Sequence, residues 1–224
     1  MWYPVLASAA VLASAAGGMA AAESGILADV RTFAPGIMLD IRYATADNFT
    51  GRPVPGYAAA KCLLHRPVAE ALARVEQGLR GQGMALAVYD CYRPTVSVAA
   101  FMAWAKDADQ STKAAYYPEL DKSVLVPDYI AEKSDHSKAA TVDVGLLDCR
   151  TGTCRPFDMG TAFDYFGSRA NTAHPQLDPA QRANRTVLLA AMAAEGFENY
   201  PMEWWHFTWR AGELPDTAYA FPIE

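Results

Sequence analysis

The sequence predicts a single α+β domain with a mostly antiparallel central sheet flanked by helices. Three observations carry that expectation. The chain has 224 residues, the size of one domain with at most a small extension. It is 52% hydrophobic, enough apolar side chain for a sizeable core. Its strand-like and helix-like stretches do not alternate in the strict βαβ order of a doubly wound sheet, so strands and helices are expected to segregate.

The first residues stand apart. Trp2 to Ala22 has no charged side chain and is rich in Ala, Val and Leu, and Ala20-Ala21-Ala22 before Glu23 reads as a small-residue cleavage site. Residues 1–22 are expected to be a secretory signal peptide, with residues 23–224 as the working domain. No Lys or Arg marks the start of the run, and an alanine-rich N-terminal helix is the competing reading. Gly17-Gly18 interrupts the apolar run, which argues against a membrane anchor. The expected location is the periplasm or the exterior, or the cytoplasm if the segment is not a signal.

Ile37 to Tyr43 alternates apolar and polar positions, the period of a half-buried strand. Ala44 to Tyr57 reads as a loop in which Asp47, Asn48, Phe49 and Thr50 are placed to rim a pocket. Pro67 to Arg80 reads as a helix with Val68, Leu72, Val75 and Leu79 as its apolar stripe. Met84 to Tyr89 is a short strand leading into Asp90-Cys91-Tyr92-Arg93-Pro94. Pro94 holds Arg93 extended and opens a helix to about Ala105. Asp107 to Glu132 is polar and irregular. Thr141 to Leu147 is a strand with Thr141 and Asp143 on one face. Asp178-Pro179 starts a helix whose buried stripe is expected at Val187, Leu188, Ala191 and Met192, with Gly196 as its stop. The aromatic run Trp204 to Trp209 reads as a strand.

Cys62, Cys91, Cys149 and Cys154 form an even set with no CxxC pair. Cys149 and Cys154 flank a turn-like segment suited to a small disulfide loop, and Cys62 with Cys91 would then tie the ends of a helix-plus-strand unit. Four cysteines allow three pairings, and four buried free thiols is the bland alternative. Two bridges would fit an oxidising compartment. The net charge of -6 argues against a nucleic-acid partner, and no basic amphipathic stretch points to a membrane surface. Nothing in the sequence indicates an oligomeric state.

The chemistry gathers in two stretches. Pro201-Met202-Glu203-Trp204-Trp205-His206-Phe207 sets a carboxylate three residues before a histidine, and Ser134-Asp135-His136 is followed by Asp143. The chain has four histidines, His65, His136, His174 and His206, so a histidine-bearing site draws on a short list. Together the two stretches supply two imidazoles, one carboxylate ligand and a spare glutamate. Catalytic zinc needs that set: three protein ligands, an open position for water and a base nearby. Taken singly, a histidine beside tryptophans is more often a packed side chain; the coincidence of the two stretches is what carries weight. On a regular strand Glu203 and His206 would point to opposite faces, so service at one metal demands a bulge or bend between them. The site is expected in a cleft at the sheet. His65 and His174 have no comparable surroundings.

Five segments in order resemble those of the VanX-like D-alanyl-D-alanine dipeptidases, zinc peptidases related to the D,D-carboxypeptidases. They are Ala44 to Gly51, Tyr92-Arg93-Pro94, Ser134 to Asp143, Met159 to Asp164 and Glu203-Trp204-Trp205-His206. The resemblance implies His136, Asp143 and His206 as ligands of one zinc ion per chain and Glu203 as general base. It implies Arg93 facing the scissile carbonyl oxygen, Asp164 facing the substrate ammonium, and Ser134 and Tyr43 lining the pocket. It departs from the family pattern Ser-x-His-x-x-Gly-x-Ala-x-Asp at Ala139 and Thr141. If the glycine position needs positive φ, Ala139 carries strain. The implied function is hydrolysis of the small peptide D-Ala-D-Ala. The rivals are a D,D-carboxypeptidase or endopeptidase acting on peptidoglycan stems, and a zinc-dependent cell-wall peptide-binding module without hydrolysis.

Overall fold

The fold, obtained as a computed structural model, describes residues 26–224. The expected signal segment, residues 1–22, lies outside the described residues. The strands and helices in chain order are β1 (Leu27–Asp29), β2 (Met38–Leu39), β3 (Leu63–His65), α1 (Arg66–Arg80), β4 (Met84–Asp90), α2 (Thr95–Trp104), α3 (Lys113–Tyr116), β5 (Thr141–Asp148), β6 (Arg155–Pro156), α4 (Pro179–Ala194), β7 (Phe197–Asn199) and β8 (His206–Trp209). Among the described residues, no helix is long and apolar enough to cross a membrane.

The main sheet runs β2-β4-β5-β8-β7, with β6 on the flank of β5, and β1 with β3 makes a small antiparallel ribbon. The fold is α+β, but the sheet is mixed rather than mostly antiparallel: β2 runs parallel to β4. The chain between them carries α1, and a crossover of that kind lets neighbouring strands run parallel. The pairs β4–β5, β5–β8 and β7–β8 are antiparallel.

α1 buries Val68, Leu72, Val75 and Leu79, as its periodicity requires. β5 is buried along Thr141 to Leu147, the signature of a strand covered on both faces. Two expected elements change. The alternating stretch Ile37 to Tyr43 keeps its inward face, with Ile37, Ile41 and Tyr43 buried, but only Met38–Leu39 pairs as strand before a 3-10 turn at Arg42–Ala44. In α4, the Asp178 capping box forms as the sequence indicates. Val187, however, is 37% exposed, and the buried positions are Gln181, Arg185, Leu188 and Met192. The first half of α4 packs on loop backbone rather than on the core. Arg185 donates to the carbonyls of Met159, Asn171 and Arg169, and Gln181 donates to Asp158. A search for apolar residues alone misplaces such a stripe.

Both disulfides form, Cys62–Cys91 and Cys149–Cys154.

Candidate active site

Three strands meet where the two chemical stretches converge. Asp143 on β5 pairs directly across the ladder with His206, the first residue of β8. The aromatic run is strand only from His206 onward. Before it the chain turns, with the His206 amide donating to the Glu203 carbonyl at 3.2 Å and the Glu203 amide to Tyr200. This is the bend that the three-residue spacing demanded, and it brings Glu203 Oε2 to 3.5 Å from His206 Nδ1.

His136 enters on a 3-10 turn, Asp135–Lys138, which closes on Ala139 at φ 55°, ψ 31°. The left-handed conformation falls on the position where the sequence has alanine in place of glycine, so a buried Cβ sits in a region that L-residues avoid. His136 Nδ1 lies 2.7 Å from the Cys91 carbonyl oxygen. An Nδ1–H donated to that oxygen leaves the Nε2 lone pair aimed into the site.

The facing atoms form a tight triangle: His136 Nε2 to Asp143 Oδ1 3.3 Å, His206 Nδ1 to Asp143 Oδ1 3.1 Å, and His136 Nε2 to His206 Nδ1 3.3 Å. Tetrahedral bonds of ~2.0–2.2 Å, as zinc makes to nitrogen and oxygen, set ligand atoms about 3.3–3.5 Å apart. Asp143 Oδ1 is also buried without a hydrogen bond of acceptable geometry. Two imidazole nitrogens and an unsatisfied carboxylate oxygen pointing at one spot fit a divalent cation such as zinc. Among the described residues, this is the one cluster of three or more His, Cys, Asp or Glu side chains with that geometry. His65 is buried against Tyr219, and neither it nor His174 joins the cluster.

The charges are arranged around this triangle. Burial would push the Asp143 carboxyl up, but the adjacent imidazoles outweigh it and hold it well below the usual carboxylate range. Burial pushes the Glu203 carboxyl up to about 7. Burial also lifts Asp164 well above the ordinary range, helped by the nearby Asp143 charge. Asp164 accepts the Tyr43 hydroxyl at 2.9 and 3.1 Å and is held at φ 60°, a conformation unusual outside glycine that recurs at functional sites.

Arg93 lies between Asp90 and Asp143, with Nη2 2.9 Å from Asp90 Oδ2 and 3.6 Å from Asp143 Oδ2. Its guanidinium stacks within 5.2 Å of the Tyr43 ring and 5.1 Å of the Phe101 ring. Its Nη1 is 3.5 Å from the Ser134 hydroxyl, at the outer limit of a hydrogen bond.

A cavity of about 230 Å³ opens onto these groups, and every site residue named from the sequence lines it: Tyr43, Arg93, Ser134, His136, Asp143, Asp164, Glu203 and His206. From the loop expected to rim the pocket only Phe49 reaches it. Asn48 and Thr50 instead hold the loop together, with Asn48 donating to three backbone carbonyls and accepting from Thr50, while Asp47 pairs with Arg42 at the surface. Sequence reasoning missed Asp90, Tyr129 and Tyr200. Asp90 lay within the Asp90-to-Pro94 run already noted, and its place beside a buried-strand end was the available signal.

Residues 23–224 match the D-ala-D-ala dipeptidase family, Peptidase_M15. The chain is 36% identical over 191 residues to a D-alanyl-D-alanine dipeptidase of Enterococcus faecium, covering 84% of this chain and 94% of that protein. It is 37% identical over 202 residues to one of Streptomyces coelicolor, covering 89% and 99%. It is 34% identical over 197 residues to one of Escherichia coli, covering 88% of each. The chain belongs to the Peptidase_M15 family of D-ala-D-ala dipeptidases.

Proposed function

We propose that this protein is a zinc-dependent D-alanyl-D-alanine dipeptidase in which His136, Asp143 and His206 hold one zinc ion and Glu203 is the general base. The single observation that carries the reading is the 3.1–3.3 Å triangle of two imidazole nitrogens and a carboxylate oxygen, with a second carboxylate left over beside it.

When bound, the metal supplies Lewis-acid polarisation of the peptide carbonyl and lowers the pKa of water toward neutrality. The chain's own residues do the rest. Glu203 takes the proton of the attacking water and hands it to the leaving amine. Arg93, cationic at every working pH, faces the oxygen on which negative charge develops. Asp164, held by Tyr43, receives the substrate ammonium, and Ser134 lines the same wall. An approaching ammonium favours the ionised form of the Asp164 carboxyl, opposing the burial that disfavours it.

The small cavity favours the dipeptide over a longer stem peptide. About 230 Å³ is below the roughly 300–1,000 Å³ of sites for drug-sized ligands. A D,D-carboxypeptidase or endopeptidase would need a groove open past the ammonium end, where buried Asp164 stands. A non-hydrolytic binding module has no use for Glu203. The paired cysteines support an exported protein, periplasmic or secreted.

Comparing hydrolysis of free D-Ala-D-Ala with release of D-Ala from a stem pentapeptide tests the assignment. The dipeptide alone should be cleaved, and a chelator should abolish the reaction. Preferred cleavage of the pentapeptide would move the protein to the carboxypeptidase reading, and binding without turnover to the third.

A further inference from the structure

Asp90 has no role in the chemistry so far, yet it is 0% exposed and touches both halves of the site. It is the ladder partner of Asp143, and the β4–β5 register slips between Val88 and Asp90, so a bulge falls at Tyr89 immediately before it. Bulges beside active sites re-aim the side chains that follow. Asp90 Oδ2 lies 2.9 Å from both Nε and Nη2 of Arg93 and 3.5 Å from His136 Nδ1. Its other oxygen accepts the Tyr57 hydroxyl at 2.7 Å.

The next residue carries the second half of the arrangement. The Cys91 carbonyl faces His136 Nδ1 at 2.7 Å, and the Cys91 sulfur is bridged to Cys62, both cysteines buried. The chain on either side of the bridge is tied down as well. The Tyr92 amide donates to Leu63 O, the Arg93 amide to His136 O, and the Val30 amide to Cys62 O. One short turn, pinned by one disulfide, thus presents a carbonyl to one imidazole and aims a guanidinium into the cavity. The other bridge, Cys149–Cys154, closes a loop of sequence separation 5 and lines none of this cavity.

We propose that Asp90 is a positioning residue that sets the Arg93 guanidinium, while the adjoining turn, pinned by the Cys62–Cys91 bridge, sets the His136 imidazole through the Cys91 carbonyl. The proposal rests on the metallopeptidase reading given above. Asp90 acts through Arg93 and the bridged turn acts through His136, so the two parts of the device have different readouts.

The test uses the full purified protein and three variants. D90N should lower kcat for D-Ala-D-Ala about tenfold to hundredfold with KM within about twofold, and in an R93A background it should add less than about twofold. C62A/C91A should weaken zinc affinity, read by competition with a chromogenic chelator, by about tenfold to a hundredfold. C149A/C154A should leave both quantities as in the unaltered protein. A purely structural role predicts a lower Tm with unchanged kcat and zinc affinity in the surviving folded fraction, and that result overturns the proposal. So does an undiminished effect of D90N without Arg93. If one of the first two variants does not fold, the other decides. Failure of the unaltered protein to bind zinc or to cleave the dipeptide would instead strike the functional reading itself.

Discussion

Asp143 and His206 are direct partners across the β5–β8 ladder, and their facing atoms, Oδ1 and Nδ1, stand 3.1 Å apart. Two positions proposed to hold the metal, separated by more than sixty residues of sequence, are thereby fixed by backbone pairing, not by loop conformation. His136 completes the set from a short turn whose geometry depends on the carbonyl of Cys91. Sites carried on paired strands hold their ligands more tightly than sites on loops.

The roles assigned to Glu203 and His206 separate cleanly. Glu203→Ala should keep zinc at one equivalent per chain while turnover drops by about 10² to 10⁴, the usual contribution of a positioned general base. His206→Ala should lose the metal itself. Metal content by atomic absorption alongside turnover distinguishes the two, and a Glu203→Ala protein with normal turnover would remove that residue from the mechanism.

Arg93→Ala is expected to reduce kcat by about 10² to 10³, the loss typical of an oxyanion donor. Arg93→Lys should recover only part of it, because the ammonium cannot reproduce the planar fork held by Asp90 against the Tyr43 and Phe101 rings. Equal activity of the lysine variant would mean that point charge alone suffices.

Asp164→Asn should raise KM for the dipeptide more than it lowers kcat, and it should improve tolerance of an N-acetylated dipeptide relative to the unaltered protein. Both follow from placing the substrate ammonium against Asp164 and Tyr43. Steady-state kinetics on the two substrates reads the outcome; an unchanged preference for the free ammonium would relocate that end of the substrate.

The strain at Ala139 is open to a stability measurement. Left-handed backbone costs an alanine about 1–2 kcal/mol, and glycine gives back roughly 0.5–1 kcal/mol through its freer unfolded chain. Ala139→Gly should therefore stabilise the protein by up to about 1 kcal/mol in urea unfolding. A loss of stability would mean that the buried methyl of Ala139 contributes more than its conformation costs.

The metal-free and zinc-loaded proteins should respond oppositely to pH between about 6 and 8. In the metal-free protein, burial raises the Glu203 pKa to about 7. Burial works to lower the His206 pKa, but the carboxylates of Asp143 and Glu203 outweigh it and raise it. Groups with raised folded pKa values stabilise when protonated, and this contribution is lost as pH rises through those values. The metal-free protein should lose stability across that window. Zinc binding requires the imidazoles unprotonated and expels these protons, so zinc affinity should rise across the same window. Thermal unfolding with and without zinc at each pH checks the sign. Parallel slopes would show that the protons sit elsewhere.

Much of this arrangement was legible in the residues. The helix at Arg66–Arg80, the strand at Thr141–Asp148 and the capped start of α4 follow from periodicity, proline and capping chemistry, all local signals. The histidine and acid stretches pointed to His136, Asp143, Glu203 and His206, the resemblance added Arg93, Asp164, Ser134 and Tyr43, and the need for a bend before His206 was readable from strand geometry alone. What was not legible depends on contacts across the fold. β2 is parallel to β4 because α1 intervenes, and the buried face of the first half of α4 is polar because it satisfies loop carbonyls. Asp90 looks like any aspartate at a strand end until β5 and the turn bearing His136 are set beside it.

The central claim is tested most directly by titrating zinc into chelator-stripped protein while following hydrolysis of D-Ala-D-Ala. Activity should be absent at the start, rise linearly with added zinc and level off at one equivalent per chain. Full hydrolysis by the stripped protein, or no gain on adding zinc to a folded sample, would contradict the account.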